Sequence, residues 1–284
     1  MQLGMYTAEL RRESVEELFG AALRLGFELV QFSFASVLSE ELPPVIDDAL
    51  AGRVRRAADA AGVAIAAVNG TFNMAEADGA KRAEDLRRFE EIVRACGALG
   101  CGIVTLCTGS RNRESMWRWS PENDSADAWE TVRETVEAAV AIAEKYGVTL
   151  GVEPEASNVV NSPERARKLL DSVGSPRLKI IFDPANLFQA GEALPQNVRP
   201  VLERAFDLLG GDICLAHGKD ITPGEGLAFT SAGRGIVDFA FLFEKLRQAD
   251  YTGGIILHGM KREEEFAESV AHIRKTLALS GKEA

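Results

Sequence analysis

Four residues of the kinds that bind metal ions end apolar runs in the second half of the sequence. They are Glu153 after "VTLGV", Asp183 after "LKIIF", His217 after "DICLA" and His258 after "GIIL". Charged groups beside buried strands are costly unless they are paired or bind a cation. Two carboxylates and two imidazoles therefore predict one divalent metal site. A helix cap at Asp183, or a hydrogen bond inside the fold for His217, is the simpler alternative for each residue alone.

Eight apolar runs, each followed by a helical pattern, would position these residues. The runs cover residues 3–6, 29–34, 63–69, 102–107, 148–153, 178–183, 212–217 and 254–259. They are apolar at nearly every position, which is typical of parallel strands buried on both faces. Eight strand–helix units predict an α/β fold, a single-domain (β/α)8 TIM barrel over residues 1–284, with its site at the carboxyl ends of the strands. The alternative is an open doubly wound sheet, but no GxGxxG follows the first run.

Composition excludes several classes of protein. The net charge is -11, with 46% hydrophobic residues, which disfavours nucleic acid as a partner because phosphate binding needs clustered Lys and Arg. No apolar run approaches the length of a membrane span, and the first ten residues lack the pattern of a signal peptide. The four cysteines show no CxxC spacing. We expect a reduced, cytoplasmic protein without a membrane partner.

Several segments resemble one known family. "GVEPEASNVVNSPERARKLLDSVG", "IFDPANLF", "AHGKD" and "AGRGIVDFAFLFEKLRQADYTGG" are similar to the xylose isomerase-like TIM barrels, which include sugar isomerases, sugar epimerases and apurinic endonucleases. The order and spacing of these segments carry the resemblance, since none is specific by itself. It implies that Glu153, Asp183 and His217 bind one divalent ion. His258 stands where the epimerases carry a Glu, so the resemblance implies a changed fourth ligand.

The resemblance implies an isomerase or epimerase that acts on a small sugar or polyol through a metal-stabilised enediolate. The ion would be Mn, Mg, Co or Zn, with Glu153 as base and His258, Lys219 or Glu155 returning the proton. An inosose-type dehydratase or lyase, or a sugar-binding barrel without turnover, is the alternative. The apurinic endonucleases need more histidine and acidic metal ligands than a chain with three histidines provides. The net charge of -11 also opposes DNA binding. By analogy, a homo-oligomer is possible.

Five further residues are candidates for contact with the substrate. They are Glu155, Asn186, Lys219, Asn73 and Trp117. Asn side chains suit sugar hydroxyls but also suit turns. Lys219 could instead pair with Asp220, Glu155 could be a solvated loop residue, and Trp117 could pack in the core.

Overall fold

The computed structural model describes residues 1–280, which form a closed barrel of eight parallel strands. Each strand pairs with its sequence neighbour from β1 to β7, and β9 closes the barrel between β7 and β1. The strands are Leu3–Tyr6 (β1), Leu29–Phe32 (β2), Ala64–Asn69 (β3), Ile103–Cys107 (β4), Thr149–Glu153 (β5), Leu178–Phe182 (β6), Ile213–Ile221 (β7), Phe229–Ser231 (β8) and Ile255–Leu257 (β9). The predicted TIM barrel is confirmed.

The connecting helices surround the barrel and cover its outer face. They are Val15–Arg24 (α1), Ala35–Leu38 (α2), Asp48–Ala61 (α3), Gly79–Leu99 (α4), Ala126–Tyr146 (α5), Pro163–Val173 (α6), Val198–Leu209 (α7), Phe239–Gln248 (α8) and Glu263–Ser280 (α9). Helix α6 begins as its sequence predicts, with the Ser162 hydroxyl accepting from the amide of Arg165 and with Pro163 in the first turn. In residues 1–280 every helix is too short or too polar to cross a membrane.

The interior of the barrel changes from apolar to polar along the strands. Two residues before the polar positions, a small apolar cluster fills the interior, formed by Leu29, Ala67, Ile181, Leu215 and Ile256. Side chains on one face of a strand recur every two residues, so the next inward positions are polar. On β6 the apolar Ile181 is thus followed by Asp183, and on β7 Leu215 is followed by His217. The change places polar groups at the carboxyl end of the barrel.

Strand β7 continues beyond the predicted end at residue 217. Its last residues form an antiparallel hairpin with β8, in which Lys219 pairs with Ser231 and Ile221 pairs with Phe229. The apolar pattern did not predict this hairpin, because its strands are short and lie outside the barrel wall. Lys219 is thereby carried over the mouth of the barrel.

A buried carboxylate holds the hairpin to the segment that leads into α8. Asp220 accepts hydrogen bonds from the backbone amides of Ile221, Gly233, Gly235 and Val237 at 2.9–3.0 Å. A Cβ atom at Gly235 would lie 2.3 Å from Oδ1 of Asp220, so this approach requires glycine. The "GRG" segment, residues 233–235, therefore binds a carboxylate of the same chain through its backbone amides.

We expect Asp220→Ala to lower the free energy of unfolding by about 3 kcal/mol, because four backbone amides lose their acceptor and those of Ile221 and Val237 are buried. Urea unfolding followed by circular dichroism measures this loss. The matched control is Asp207→Ala, at an exposed position of α7, which should change stability by less than about 0.5 kcal/mol. Equal stability of the two variants would contradict the role given to Asp220.

Candidate metal centre and cavity

Three of the predicted ligands lie together at the mouth of the barrel. Glu153, Asp183 and His217 are all buried, and one potential ligand atom of each lies within 4.8 Å of the others. Nδ1 of His217 is 3.5 Å from Oε2 of Glu153 and 3.6 Å from Oδ2 of Asp183. Two carboxylate oxygens and one imidazole nitrogen therefore converge on a common point.

Neighbouring groups turn the remaining carboxylate oxygens away from this point. Asn186 donates from Nδ2 to Oε1 of Glu153 at 2.5 Å. Oδ1 of Asp183 accepts from the backbone amides of Ala185 and Asn186 at 2.9 and 3.4 Å. Oε2 of Glu153 and Oδ2 of Asp183 thus remain for a further partner. The helix cap considered for Asp183 is not present, because no helix begins directly after β6. The hydrogen bonds to Oδ1 of Asp183 instead hold a turn at residues 184–187.

The donor set fits a divalent ion. Oδ2 of Asp183 and Nδ1 of His217 are buried without a hydrogen-bond partner, and such orphaned groups are rare in folded proteins. Nε2 of His217 lies 2.7 Å from Oε1 of Gln31. A proton on Nε2 that faces this carbonyl leaves the lone pair of the neutral ring on Nδ1, beside the carboxylates. Carboxylate and imidazole ligands suit Mn, Mg, Co or Zn.

The charges at the site are strongly coupled. Burial alone would lower the pKa of His217, but Glu153 and Asp183 outweigh it and raise the pKa to about 9. Burial likewise favours neutral Asp183, yet Lys219 and His217 hold its pKa well below the usual range. Nζ of Lys219 lies 3.3 Å from Oδ2 of Asp183. Without an ion, protonated His217 and Lys219 therefore balance the two carboxylates.

A cavity of about 380 Å³ opens above the cluster, which is a size that suits a small ligand. Its lining consists of Tyr6, Gln31, Glu41, Asn69, Thr71, Thr105, Cys107, Trp117, Glu153, Glu155, Asn186, Lys219, Phe229 and His258. Hydroxyl and amide groups dominate one part of the lining, and the Trp117 and Phe229 rings supply apolar surface. Such a mixture suits a molecule that combines hydroxyl groups with C–H faces.

His258 lines the cavity but does not join the three-residue cluster. Its ring stacks on His217 and Tyr6, with centroid distances of 5.4 and 5.1 Å. Nδ1 of His258 lies 3.1 Å from Oε1 of Glu9, a close contact without hydrogen-bond alignment. Burial, reinforced by Lys219 and His217, lowers the pKa of His258 well below its ordinary value. Its role as a fourth ligand stays a prediction.

Four of the five predicted substrate contacts line the cavity, namely Glu155, Asn186, Lys219 and Trp117. Lys219 contacts Asp183 instead of Asp220, and its Nζ also lies 4.4 Å from the centre of the Phe229 ring. Burial raises the pKa of Glu155 to about 7, with a further contribution from Glu153 that Lys219 opposes. Trp117 keeps 48% of its surface exposed, so it is a cavity wall at the rim and not a core residue.

Asn73, the fifth, lies outside the lining. Its side chain pairs with the backbone of Ser110 in both directions, at 3.0 Å each, and so joins the loops that follow β3 and β4. This contact corresponds to the turn role that Asn side chains often take. Contact of Asn73 with a substrate stays a prediction that no feature of the cavity supports.

Sequence reasoning missed the polar residues of the first half of the barrel. Gln31, Asn69 and Thr105 interrupt or end apolar strands, which was the available signal. This signal was weaker than that of a carboxylate or imidazole, because amide and hydroxyl side chains carry no charge and are buried inside a fold at a lower cost. Glu9 gave no signal in the pattern, since it lies in a short turn after β1, yet its carboxylate accepts from the amides of Gly259 and Met260.

Comparison with known proteins gives the same fold and shows the family. Residues 19–276 match the family model described as xylose isomerase-like TIM barrel. An inosose dehydratase of Geobacillus kaustophilus (strain HTA426) is 25% identical over 218 residues. The match covers 69% of this chain and 66% of that relative, so it spans slightly less than two thirds of the relative's length.

Solved structures are similar over the whole chain. A D-tagatose 3-epimerase-like protein superposes with a TM-score of 0.78 and 19% identity, covering 100% of this chain and 99% of that one. The IOLI protein with a bound zinc atom gives a TM-score of 0.72 and 17% identity, covering 99% and 98%. At this identity the superpositions establish the fold alone.

The Glu9 carboxylate should make stability depend on pH. Burial raises its pKa from 4.5 to about 7, although amide donors at Gly259 and Met260 oppose the rise. The folded protein thus binds more protons than the unfolded chain between these values, so the contribution of Glu9 to the free energy of unfolding falls as pH rises through this window. For metal-free protein, Glu9→Gln should gain up to about 3 kcal/mol relative to wild type between pH 4 and pH 8.

Urea unfolding of both proteins at several pH values measures this difference, in which the titrations of other groups cancel. Glu13→Gln is the control at an exposed position and should give a difference that does not vary with pH. A Glu9→Gln difference that is equally flat would show that Glu9 is ionised normally.

Proposed function

Because the chain belongs to the xylose isomerase-like TIM barrel family, we propose that it is a divalent-metal-dependent isomerase or epimerase. Its substrate would be a small sugar or polyol with a carbonyl group. The observation that carries the proposal is the convergence of Glu153, Asp183 and His217 below a cavity lined by hydroxyl and amide groups. Epimerases among the similar structures support the same reaction class.

Glu153, Asp183 and His217 would hold the ion through the three atoms that converge. A divalent ion supplies Lewis acidity, which makes the hydrogen on a carbon beside a carbonyl more acidic. A zinc-bound relative of the same fold and the orphaned atoms of this site support the assignment. The ion would be Mn, Mg, Co or Zn.

Proton transfer would use Glu153 and His258. Glu153 is our proposed base, because Asn186 fixes its orientation and its carboxylate faces the cavity. His258 is the proposed second group, since it lines the cavity from β9, which is separated from β5 by two barrel strands. With Nδ1 of His258 beside Glu9, Nε2 is the nitrogen left to serve the substrate. Glu155 and Lys219 are alternative proton donors within the same lining.

The charges of the lining favour an uncharged substrate. Lys219 is the one cationic side chain among the lining residues, against Glu41, Glu153 and Glu155. Asp183 already compensates the Lys219 charge at 3.3 Å. A phosphate group at the end of the substrate away from the ion would therefore meet carboxylates without a free cationic side chain, which is unfavourable in a partly buried site. We propose an unphosphorylated sugar or polyol.

Dehydration of an inosose is the second candidate reaction. It is favoured by the sequence similarity to an inosose dehydratase and by His258 in place of a second carboxylate, since loss of water needs one base and one acid and does not need two carboxylate bases. The acid would be Glu155, whose pKa burial raises to about 7, or Lys219, and both line the cavity. Both reactions begin with removal of the proton beside a carbonyl, so they share Glu153 and differ in the product.

Glu153→Gln should abolish exchange of the substrate proton in D2O, because the amide cannot accept it. Incubation of the metal-loaded protein with a panel of ketoses and inososes, followed by NMR, measures exchange and product together. His258→Ala should still exchange this proton through Glu153 while product formation falls at least about 100-fold, which is a typical effect of removing a residue that transfers a proton.

Three results would assign the roles differently. Glu153→Gln activity within about tenfold of wild type would place the base elsewhere. Formation of an unsaturated or deoxygenated ketone would select the dehydratase. Binding of a sugar by metal-loaded wild type without any exchange would indicate a binding protein and contradict catalysis.

Phosphorylation of the substrate should reduce turnover. For any ketose that wild type converts, we expect the phosphate ester to give a kcat/KM at least about 100-fold lower, equivalent to about 2.7 kcal/mol in the barrier. Steady-state kinetics with each pair of compounds measures the ratio. Equal values for a ketose and its phosphate would show that the lining charges do not select the substrate.

A further inference from the structure

We propose that Gln31 is a positioning residue for the metal ligand His217. Its side-chain carbonyl would fix the imidazole with the proton on Nε2, so that Nδ1 faces Glu153 and Asp183. The inference rests on the proposed metal centre and deepens it, because it assigns the partner that selects one ring nitrogen for the ion.

The contact between the two side chains is short and buried. Nε2 of His217 lies 2.7 Å from Oε1 of Gln31, and the residues are 1% and 3% exposed. A carbonyl oxygen can only accept a hydrogen bond, so the nitrogen that faces it must carry the proton. A neutral imidazole with its proton on Nε2 offers its lone pair at Nδ1, which is the atom near both carboxylates.

A second hydrogen bond agrees with this direction of the Gln31 amide. Its Nε2 donates to Oγ1 of Thr105 at 3.2 Å, and the Thr105 hydroxyl donates in turn to Oδ1 of Asn69 at 3.3 Å. The series of hydrogen bonds runs from His217 on β7 to Gln31 on β2, Thr105 on β4 and Asn69 on β3. Each donor in it faces an acceptor. If the Gln31 amide were reversed, its NH2 group would face His217, which would favour the other tautomer and withdraw the lone pair from the carboxylates.

The direction of these hydrogen bonds matters because the series starts at the proposed metal ligand His217 and ends at residues that line the cavity. Gln31, Thr105 and Asn69 all line the cavity, so the substrate wall and the ion share one hydrogen-bond network. Groups that orient a ligating histidine typically contribute 10–100-fold to metal affinity. A role confined to stability would instead change the unfolding transition and leave affinity and ring protonation unaltered.

The test compares wild type with Gln31→Leu, Gln31→Glu and Thr105→Val. Titration of Zn²⁺ into each metal-free protein gives its Kd, and ¹⁵N NMR of the zinc-loaded proteins reports which His217 nitrogen carries the proton. In wild type we expect the proton on Nε2 and zinc on Nδ1. Gln31→Leu, which keeps the volume but loses the acceptor, should bind zinc about 10–100-fold more weakly.

The other variants separate position from stability. Gln31→Glu retains an acceptor and should bind zinc at least as tightly as wild type. Thr105→Val keeps the contact between Gln31 and His217 and should stay within about threefold, because it removes only the next link in the chain. Thermal unfolding of the metal-free proteins shows whether each variant is folded.

Two results would overturn the inference. One is zinc binding by Gln31→Leu that equals wild type with the same ring protonation. The other is a proton on Nδ1 of His217 in zinc-loaded wild type, which decides the matter even if Gln31→Leu does not fold. Failure of wild type to bind Zn²⁺, Mn²⁺ or Co²⁺ at all would instead contradict the proposed metal centre.

Discussion

Inward-facing side chains on a barrel strand recur at every second residue, and the position of the site depends on this spacing. An apolar residue that fills the barrel interior is followed two residues later by the next inward-facing position of the same strand, which lies at the cavity end of the barrel. On β6, Ile181 is followed by Asp183, and on β9 Ile256 is followed by His258. A shift by one residue would bury the carboxylate against the surrounding helices and expose the apolar side chain to the cavity.

Charge compensation then determines what the site can do. Asp183 is shared between Lys219 and His217 in the structure, so the entry of a divalent ion must displace a proton or an ammonium group. Binding of the proposed ion would for this reason be coupled to proton release at His217, whose pKa the carboxylates raise to about 9. In the proposed tautomer the hydrogen bond from Nε2 of His217 to Gln31 would persist in either state, because both forms of the ring would carry that proton.

The sequence was sufficient for the barrel and for the three residues that converge, since both follow from strands that are apolar throughout and end in a charged group. The first strand has the predicted bounds, residues 3–6. The environment of His258 was not predictable in this way. It includes Glu9, a residue distant in sequence that lies beside the His258 ring and binds the backbone after β9, and such contacts leave no periodic pattern. The hairpin of β7 and β8 was not predicted for a related reason. Its attachment depends on hydrogen bonds between Asp220 and backbone amides of residues 233–237, which leave no periodic pattern either.

The attachment of that hairpin separates two kinds of change in the protein. Asp220 fixes the base of the hairpin to the segment before α8 through four amides, while residues 222–228 form its tip. A longer or altered tip would reshape the cavity wall next to Phe229 without moving His217, which belongs to the barrel part of the same strand. An insertion in this single surface loop would therefore change the shape of the cavity while Glu153, Asp183 and His217 keep their positions.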